Sequence, residues 1–211
     1  MSAVFLDLDG TLMDSEPGIL SSLRSAFMET GHPDIAAQDL KWMIGPPFID
    51  SFRKIGIADP QAVIDAYRDV YAMGGMFDAR VYEGVFDMID ALHLSGHRLY
   101  LATAKPHEAA TKITAHFGLA DHMVAEFGPE LDGTRNWKGD LLAYALGKTG
   151  ECAETSVMVG DRHHDFAAAA SVGMKSVAVR WGYGLNDEWN DADAAITHPG
   201  ELAGVIAALG L

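Results

Sequence analysis

Apolar residues recur along this chain with two different periods, and the change of period divides it. Ile19, Leu20, Leu23 and Phe27 follow one another at helical spacing, and further helices are expected over 36–44, 48–55 and 61–73. Asp14, Ser15, Glu16 and Pro17 supply a start signal for the first helix, and Gly31 closes it. Gly45-Pro46-Pro47 and the stretch 56–60 separate the later helices as turns. No strand signal interrupts this region, so residues from about 16 to 80 are expected to form a small helical bundle.

Outside that segment the pattern is short apolar runs alternating with helices. Ala3 to Leu6 is too short for a helix and fits a strand buried on both faces. Helices expected over 85–94, 107–117, 138–148 and 164–172 alternate with runs at 97–103, 122–127, 156–160, 176–179 and 194–196, and a last helix follows Pro199. Such alternation implies an α/β fold with a mostly parallel sheet covered on both faces. Sites in such sheets lie outside the C-terminal strand ends.

Polar residues gather at those ends. Asp7 and Asp9 follow the first run, and residues two apart on a strand point the same way, so both carboxylates can project together while Gly10 turns the chain away. Two carboxylates so close call for a cation or a raised pKa, and a hard divalent ion with oxygen ligands fits. A calcium loop counted from Asp7 would need glycine at its sixth position and an acid at its twelfth; Leu12 and Gly18 stand there, so that reading fails. Two readings of the pair remain: a solvated polar turn, or a nucleophilic carboxylate beside an acid/base carboxylate. Thr103, Ala104 and Lys105 end the second run, Lys138 opens a helix, and Asp161 and Asp165 open another. In a parallel sheet these positions can converge, with the carboxylates suited to Mg²⁺ and Thr103 with Lys138 or Lys105 suited to phosphoryl oxygens.

Asp7-x-Asp9-Gly10-Thr11, Thr103 after an apolar strand, Lys138, and Gly160-Asp161-x-x-x-Asp165 resemble, in order, the four motifs of the haloacid dehalogenase superfamily. The helical segment resembles the inserted cap of its phosphoglycolate phosphatase-like branch, and the contexts of Thr103, Lys138 and Asp161 are most similar to a bacterial 5′-nucleotidase-like subgroup. The resemblance implies a Rossmann-like catalytic core of residues 1–15 and 81–211 and a cap of residues 16–80. It implies a Mg²⁺-dependent phosphatase acting on phosphoglycolate or a nucleoside 5′-monophosphate. Asp7 would be the nucleophile and Asp9 the acid/base, with Thr103 and Lys138 on the transferring phosphoryl group. Asp7, the Asp9 carbonyl and Asp161 would hold the metal, with Asp165 a ligand or a partner of the ligands. Gly10, Thr11, Ala104, Lys105, Pro47, Phe48 and Arg53 are the substrate-contact candidates. A phosphosugar mutase would share every core motif. A phosphate-sensing protein would usually have lost the nucleophile.

Composition narrows the partners. The 211 residues carry 30 acidic and 15 basic side chains, a formal charge of −15. That balance argues against a nucleic-acid polymer or an anionic membrane, though a metal and a few lysines can still admit a small phosphorylated substrate. The single Cys152 suits a reducing cytoplasm, and no targeting segment or membrane-length apolar run is evident. The chain is expected to be cytoplasmic, as a monomer or homodimer. His163 and His164 read as polar loop residues, because no third nitrogen or sulfur ligand accompanies them.

Overall fold

The first strand, β1 (Ala3–Leu6), is buried along its whole length. It lies inside a six-stranded sheet in a computed structural model that describes residues 1–185 and 187–211. The other strands are β4 (Arg98–Ala102), β5 (Ala125–Phe127), β6 (Ser156–Gly160), β7 (Lys175–Val179) and β8 (Ala194–Ile196), all parallel, in the order β5-β4-β1-β6-β7-β8. The chain builds outward from β1 to β4 and β5, then returns to its other side for β6, β7 and β8. This reversal opens a crevice at the C-terminal end of β1.

Period-two alternation separates the faces of β1. Val4 and Leu6 join the core that includes α5 (Val85–Leu94), α6 (His107–His116) and α9 (Leu202–Ala208). Ala3 and Phe5 point the other way, toward α7 (Lys138–Thr149) and α8 (His163–Ser171), where Leu142, Ala145, Ala168 and Ala169 pack. With helices on both faces, no strand face needs to be polar, and the runs read as continuously apolar. Each of these elements lies within a few residues of its sequence expectation. Among the described residues no helix is long and apolar enough to cross a membrane.

The segment between β1 and β4 is helical, with α1 (Glu16–Glu29), α2 (Pro33–Ala36), α3 (Phe48–Lys54) and α4 (Pro60–Ala72). Aromatic rings run through it in a chain: Phe27 on Phe52 at 5.2 Å, Phe52 on Phe48 at 5.5 Å, Phe48 on Tyr67 at 4.7 Å and Tyr67 on Tyr71 at 5.2 Å. One expectation needs correction. The helix expected over 36–44 is a single turn ending at Ala36 and a separate 3-10 turn at Lys41–Met43. Asp39 Oδ1 accepts the Lys41 N–H at 3.0 Å, offering the backbone a local alternative to the helix. Leu40, Met43 and Ile44 are buried all the same, which is why their spacing looked helical. At the two edges of the segment, β2 (Met13–Asp14) pairs antiparallel with β3 (Arg80–Val81) where the helices join the core. Strands of two residues are too short to show alternation.

Backbone crowding fixes α1 against the turn that follows α4. The Gly18 N–H donates to the Asp78 carbonyl at 3.0 Å, and a Cβ on Gly18 would overlap the Gly75 carbonyl oxygen. Gly18→Ala is expected to lower stability by about 1–3 kcal/mol, the usual cost of overpacking, despite alanine's better helix propensity. Urea denaturation measures this. A variant as stable as the parent would show that this contact does not constrain the fold.

Candidate active site

Strand register assembles the site. Leu6 pairs with Leu101 on one side and Val159 on the other, so Asp7 emerges level with Ala102 and Gly160, one residue short of Thr103 and Asp161. The Asp7 N–H still bonds the Val159 carbonyl at 2.9 Å, which holds the residue in line with the sheet. Gly10 turns the chain at φ 84°, and a Cβ there would overlap the Asp161 carboxylate. Glycine thus meets two needs at once, a left-handed backbone and close approach to a buried acid.

Three buried carboxylates, Asp7, Asp161 and Asp165, meet here, and two of them share the buried Lys138. Lys138 Nζ lies 3.0 Å from Asp7 Oδ1 and also bonds Asp165 Oδ1. The other Asp165 oxygen accepts the Arg162 N–H at 3.0 Å. Burial opposes charge on Asp165, but Lys138 outweighs it and holds this carboxyl below the ordinary range. Asp165 and Asp7 in turn outweigh burial at Lys138 and keep its ammonium protonated beyond its usual pKa. Asp7 moves the other way, raised to about 6, chiefly by burial and only partly relieved by Lys138. Asp161 rises well above the carboxylate range through burial and the nearby charges of Asp165 and Asp7.

Asp161 Oδ1 is buried without a hydrogen-bond partner, and Asp7 Oδ1 has only the Lys138 ammonium, which it shares with Asp165. Buried, mutually repelling carboxylate oxygens so short of donors fit a hard divalent cation. Asp7, His164 and Asp165 also each offer a ligand atom, all within 4.8 Å of one another. Of these, Asp165 has both oxygens already engaged. His164 is neutral, its pKa lowered by burial to about 4, and neither ring nitrogen has a partner. His163 is exposed and stacks edge-on against it.

Asp9 is gripped from two sides. Ser15 Oγ donates to its Oδ1, and Lys105 Nζ lies 3.0 Å from its Oδ2. Ser15, part of the start signal of α1, uses its side chain on Asp9 and does not cap the helix with it. The Tyr183 hydroxyl takes over the cap, accepting the Ser15 and Glu16 N–H groups at 2.8 and 2.9 Å. Tyr183 also donates its backbone N–H to Asp161 Oδ2 at 2.6 Å, and the Trp181 indole donates to the Thr11 carbonyl at 3.1 Å.

A cavity of about 420 Å³ opens in front of Asp7 and Asp9. Thr103, Ala104 and Lys105 line it from the core, and Pro47, Phe48, Ile64, Tyr67 and Tyr71 line it from the helical segment. Lys138 lines instead a neighbouring cavity of about 180 Å³, with His164 and the Gly45-Pro46-Pro47 turn. Three sequence candidates stand apart. Arg53 is exposed and faces Asp50 on its own helix at 4.0 Å. Gly10 and Thr11 are buried and lie outside the lining. Conversely, sequence spacing gave no notice of Tyr67 and Tyr71, four residues apart and indistinguishable there from a core face. Nor did it reveal Arg162, which reaches across to the Ile44 carbonyl and bonds Glu188 at 2.9 Å.

Residues 4–179 match the haloacid dehalogenase-like hydrolase family. The chain belongs to that family. It is 37% identical over 190 residues to a 5′-nucleotidase of Pseudomonas aeruginosa, covering 88% of this chain and 85% of that one. It is 36% identical over 210 residues to the tyrosine-protein kinase PtkA of Mycobacterium tuberculosis, covering 99% of this chain and 72% of that protein. A solved structure titled as a predicted phosphatase from Clostridium acetobutylicum superposes with a TM-score of 0.92 at 32% identity, over 98% of both chains.

The raised Asp7 pKa has a measurable consequence. Unfolded, this carboxyl titrates near 3.8; folded, near 6. The folded protein holds the proton more tightly, so stability is greatest below the unfolded value, falls as pH rises between the two, and carries the full cost above the folded value. Asp7→Asn is therefore expected to stabilise the protein at pH 7 in chelator, on the order of 2 kcal/mol, with the gain fading toward pH 4. Urea midpoints at both pH values decide the matter. A destabilised Asp7→Asn protein at pH 7 would mean that the Lys138 attraction exceeds the cost of burial.

Proposed function

We propose that this haloacid dehalogenase-like phosphatase hydrolyses nucleoside 5′-monophosphates through an aspartyl phosphate on Asp7, with Mg²⁺ as cofactor. One arrangement carries the reading. The carboxylates of Asp7 and Asp9 face one cavity whose far wall is the aromatic group Phe48, Tyr67 and Tyr71. Phosphorus would meet the carboxylates while a flat base lies on the rings.

In the first step an Asp7 oxygen attacks phosphorus as the bond to the leaving oxygen breaks, and Asp9 gives that oxygen a proton. In the second, Asp9 takes a proton from water as it attacks the aspartyl phosphate, and Asp7 is released. Lys138 offers positive charge beside Asp7, and Asp165, with both oxygens engaged, is assigned to hold Lys138 in place rather than to bind metal. Thr103 and Ala104 lie where the phosphoryl oxygens would fall. Mg²⁺, held by Asp7, Asp161 and the Asp9 carbonyl, would supply the charge that offsets repulsion between carboxylate and phosphate.

The walls rank the substrates. Each cation of the lining already faces a carboxylate: Lys105 and Asp9 at 3.0 Å, Lys112 and Glu108 at 2.7 Å, Arg68 and Asp65 at 3.6 Å. Phosphoglycolate would bring a second anion into a cavity that also contains Glu130 and Asp132. A phosphosugar would bring hydroxyls to apolar walls. A neutral planar base fits better than either. Nor does a phosphate sensor explain the retained Asp7.

In a folded Asp7→Asn protein, turnover is expected to fall at least about 10³-fold, since an amide cannot form the phosphoenzyme. Excess chelator is expected to stop the parent enzyme and Mg²⁺ to restore it. Substantial activity in either condition would remove the corresponding part of the mechanism. For specificity, Phe48→Ala is expected to lower kcat/KM for nucleoside 5′-monophosphates about tenfold relative to phosphoglycolate. An unchanged ratio would take the ring out of substrate selection.

A further inference from the structure

Lys105 is a buried lysine to which the steps above give no task. Its backbone N–H bonds Thr103 Oγ1 at 3.2 Å, which sets its stem at the end of β4. Its ammonium lies 3.0 Å from Asp9 Oδ2 and donates to the Tyr71 hydroxyl at 2.7 Å. The ammonium also sits 4.6 Å from the Tyr71 ring centroid, so ring and hydroxyl both hold it. A lysine ammonium is a point charge on a flexible stem, so its direction is set by its partners. Here one partner is the core's Asp9 and the other comes from α4 in the helical segment. Tyr71 has little freedom of its own, being buried and stacked on Tyr67, which is buried in turn against Phe48. Burial, then the Asp9 charge, push its hydroxyl well above the ordinary range, so Lys105 meets it as a neutral acceptor.

We propose that Tyr71 is a positioning residue for proton transfer: by holding Lys105 against Asp9, it aligns the acid/base carboxyl only when α4 is seated over the sheet. The inference rests on the assignment of Asp9 as acid/base. The bond from Asp7 to phosphorus forms as the bond to the leaving oxygen breaks. That oxygen takes the electron pair and receives the Asp9 proton. A misaligned Asp9 penalises the step in proportion to the basicity of the leaving oxygen. A nitrophenolate departs readily without the proton; an alkoxide does not. The same carboxyl serves as base in the second step, which is common to all substrates and so drops out of a ratio between them.

The test compares p-nitrophenyl phosphate with benzyl phosphate, two flat substrates with leaving groups of very different basicity. Tyr71→Phe removes the hydroxyl and keeps the stacked ring. The ratio of kcat/KM, nitrophenyl over benzyl, is expected to rise about tenfold in Tyr71→Phe and further in Asp9→Asn. In a Lys105→Gln background, Tyr71→Phe is expected to add nothing, because both act through one contact. An unchanged ratio in Asp9→Asn would overturn the acid/base assignment itself. A raised ratio in Asp9→Asn with an unchanged ratio in Tyr71→Phe would overturn only the role of Tyr71. Equal loss on both substrates in Tyr71→Phe would make it a packing residue, and additivity with Lys105→Gln would break the link through the lysine.

Discussion

The structure turns on a crowding of charge. Asp7, Asp161 and Asp165 are buried together at the C-terminal end of the sheet, with Lys138 the buried ammonium among them. Carboxylates placed so close in a low dielectric repel each other and lose the water that would have stabilised them. The fold divides the burden unevenly. Asp165 has its charge fully answered by Lys138 and a backbone N–H, while Asp7 has only a share of Lys138 and Asp161 keeps an oxygen that meets no donor. The rest of the core serves this imbalance. The central position of β1 brings its neighbours' ends alongside Asp7, and Tyr183 and Gly10 close tightly around Asp161. A protein selected for stability alone would relax such a site. One selected to keep a buried carboxylate beside a cation cannot.

Much of this was legible in the sequence because the core obeys local rules. β1 and β6 are apolar runs with polar residues only at their ends, and a parallel sheet leaves those ends one place to meet. The order of Asp7, Thr103, Lys138 and Asp161 along the chain therefore translated directly into an arrangement in space. Elements such as α5 and α7 carry their apolar spacing and boundaries within themselves, and their limits lie within a residue of expectation.

What was not legible depends on which of several competing partners, local or distant, a group ends up with. The stretch from Ala36 to Ile44 has helical spacing, but a side chain–backbone bond from Asp39 competes successfully with the helix. Tyr71 carries no mark that separates a core aromatic from one whose hydroxyl meets Lys105, 34 positions on. Ser15 belongs to a helix start signal and is drawn off to Asp9, while the hydroxyl that does the capping comes from Tyr183. Arg53 illustrates the converse: a cation close in sequence to the cavity-lining Pro47 and Phe48, but on the outward side of its helix. Spacing reveals which face a residue occupies. It does not reveal what the face will meet.

The ribbon of β2 and β3 has a consequence for how such a protein can change. Met13–Asp14 and Arg80–Val81 run side by side, tied by backbone pairing and by the Arg80–Asp14 ion pair at 3.0 Å. Everything between them leaves the sheet and returns to it through one doorway two strands wide. Because both ends of the excursion are anchored together, its length and internal packing are decoupled from the register of the six strands. An ancestor could exchange this passage for another, longer or shorter, and keep its carboxylates in place. Innovation in what is recognised and constancy in what is done to it can then proceed along separate stretches of one gene.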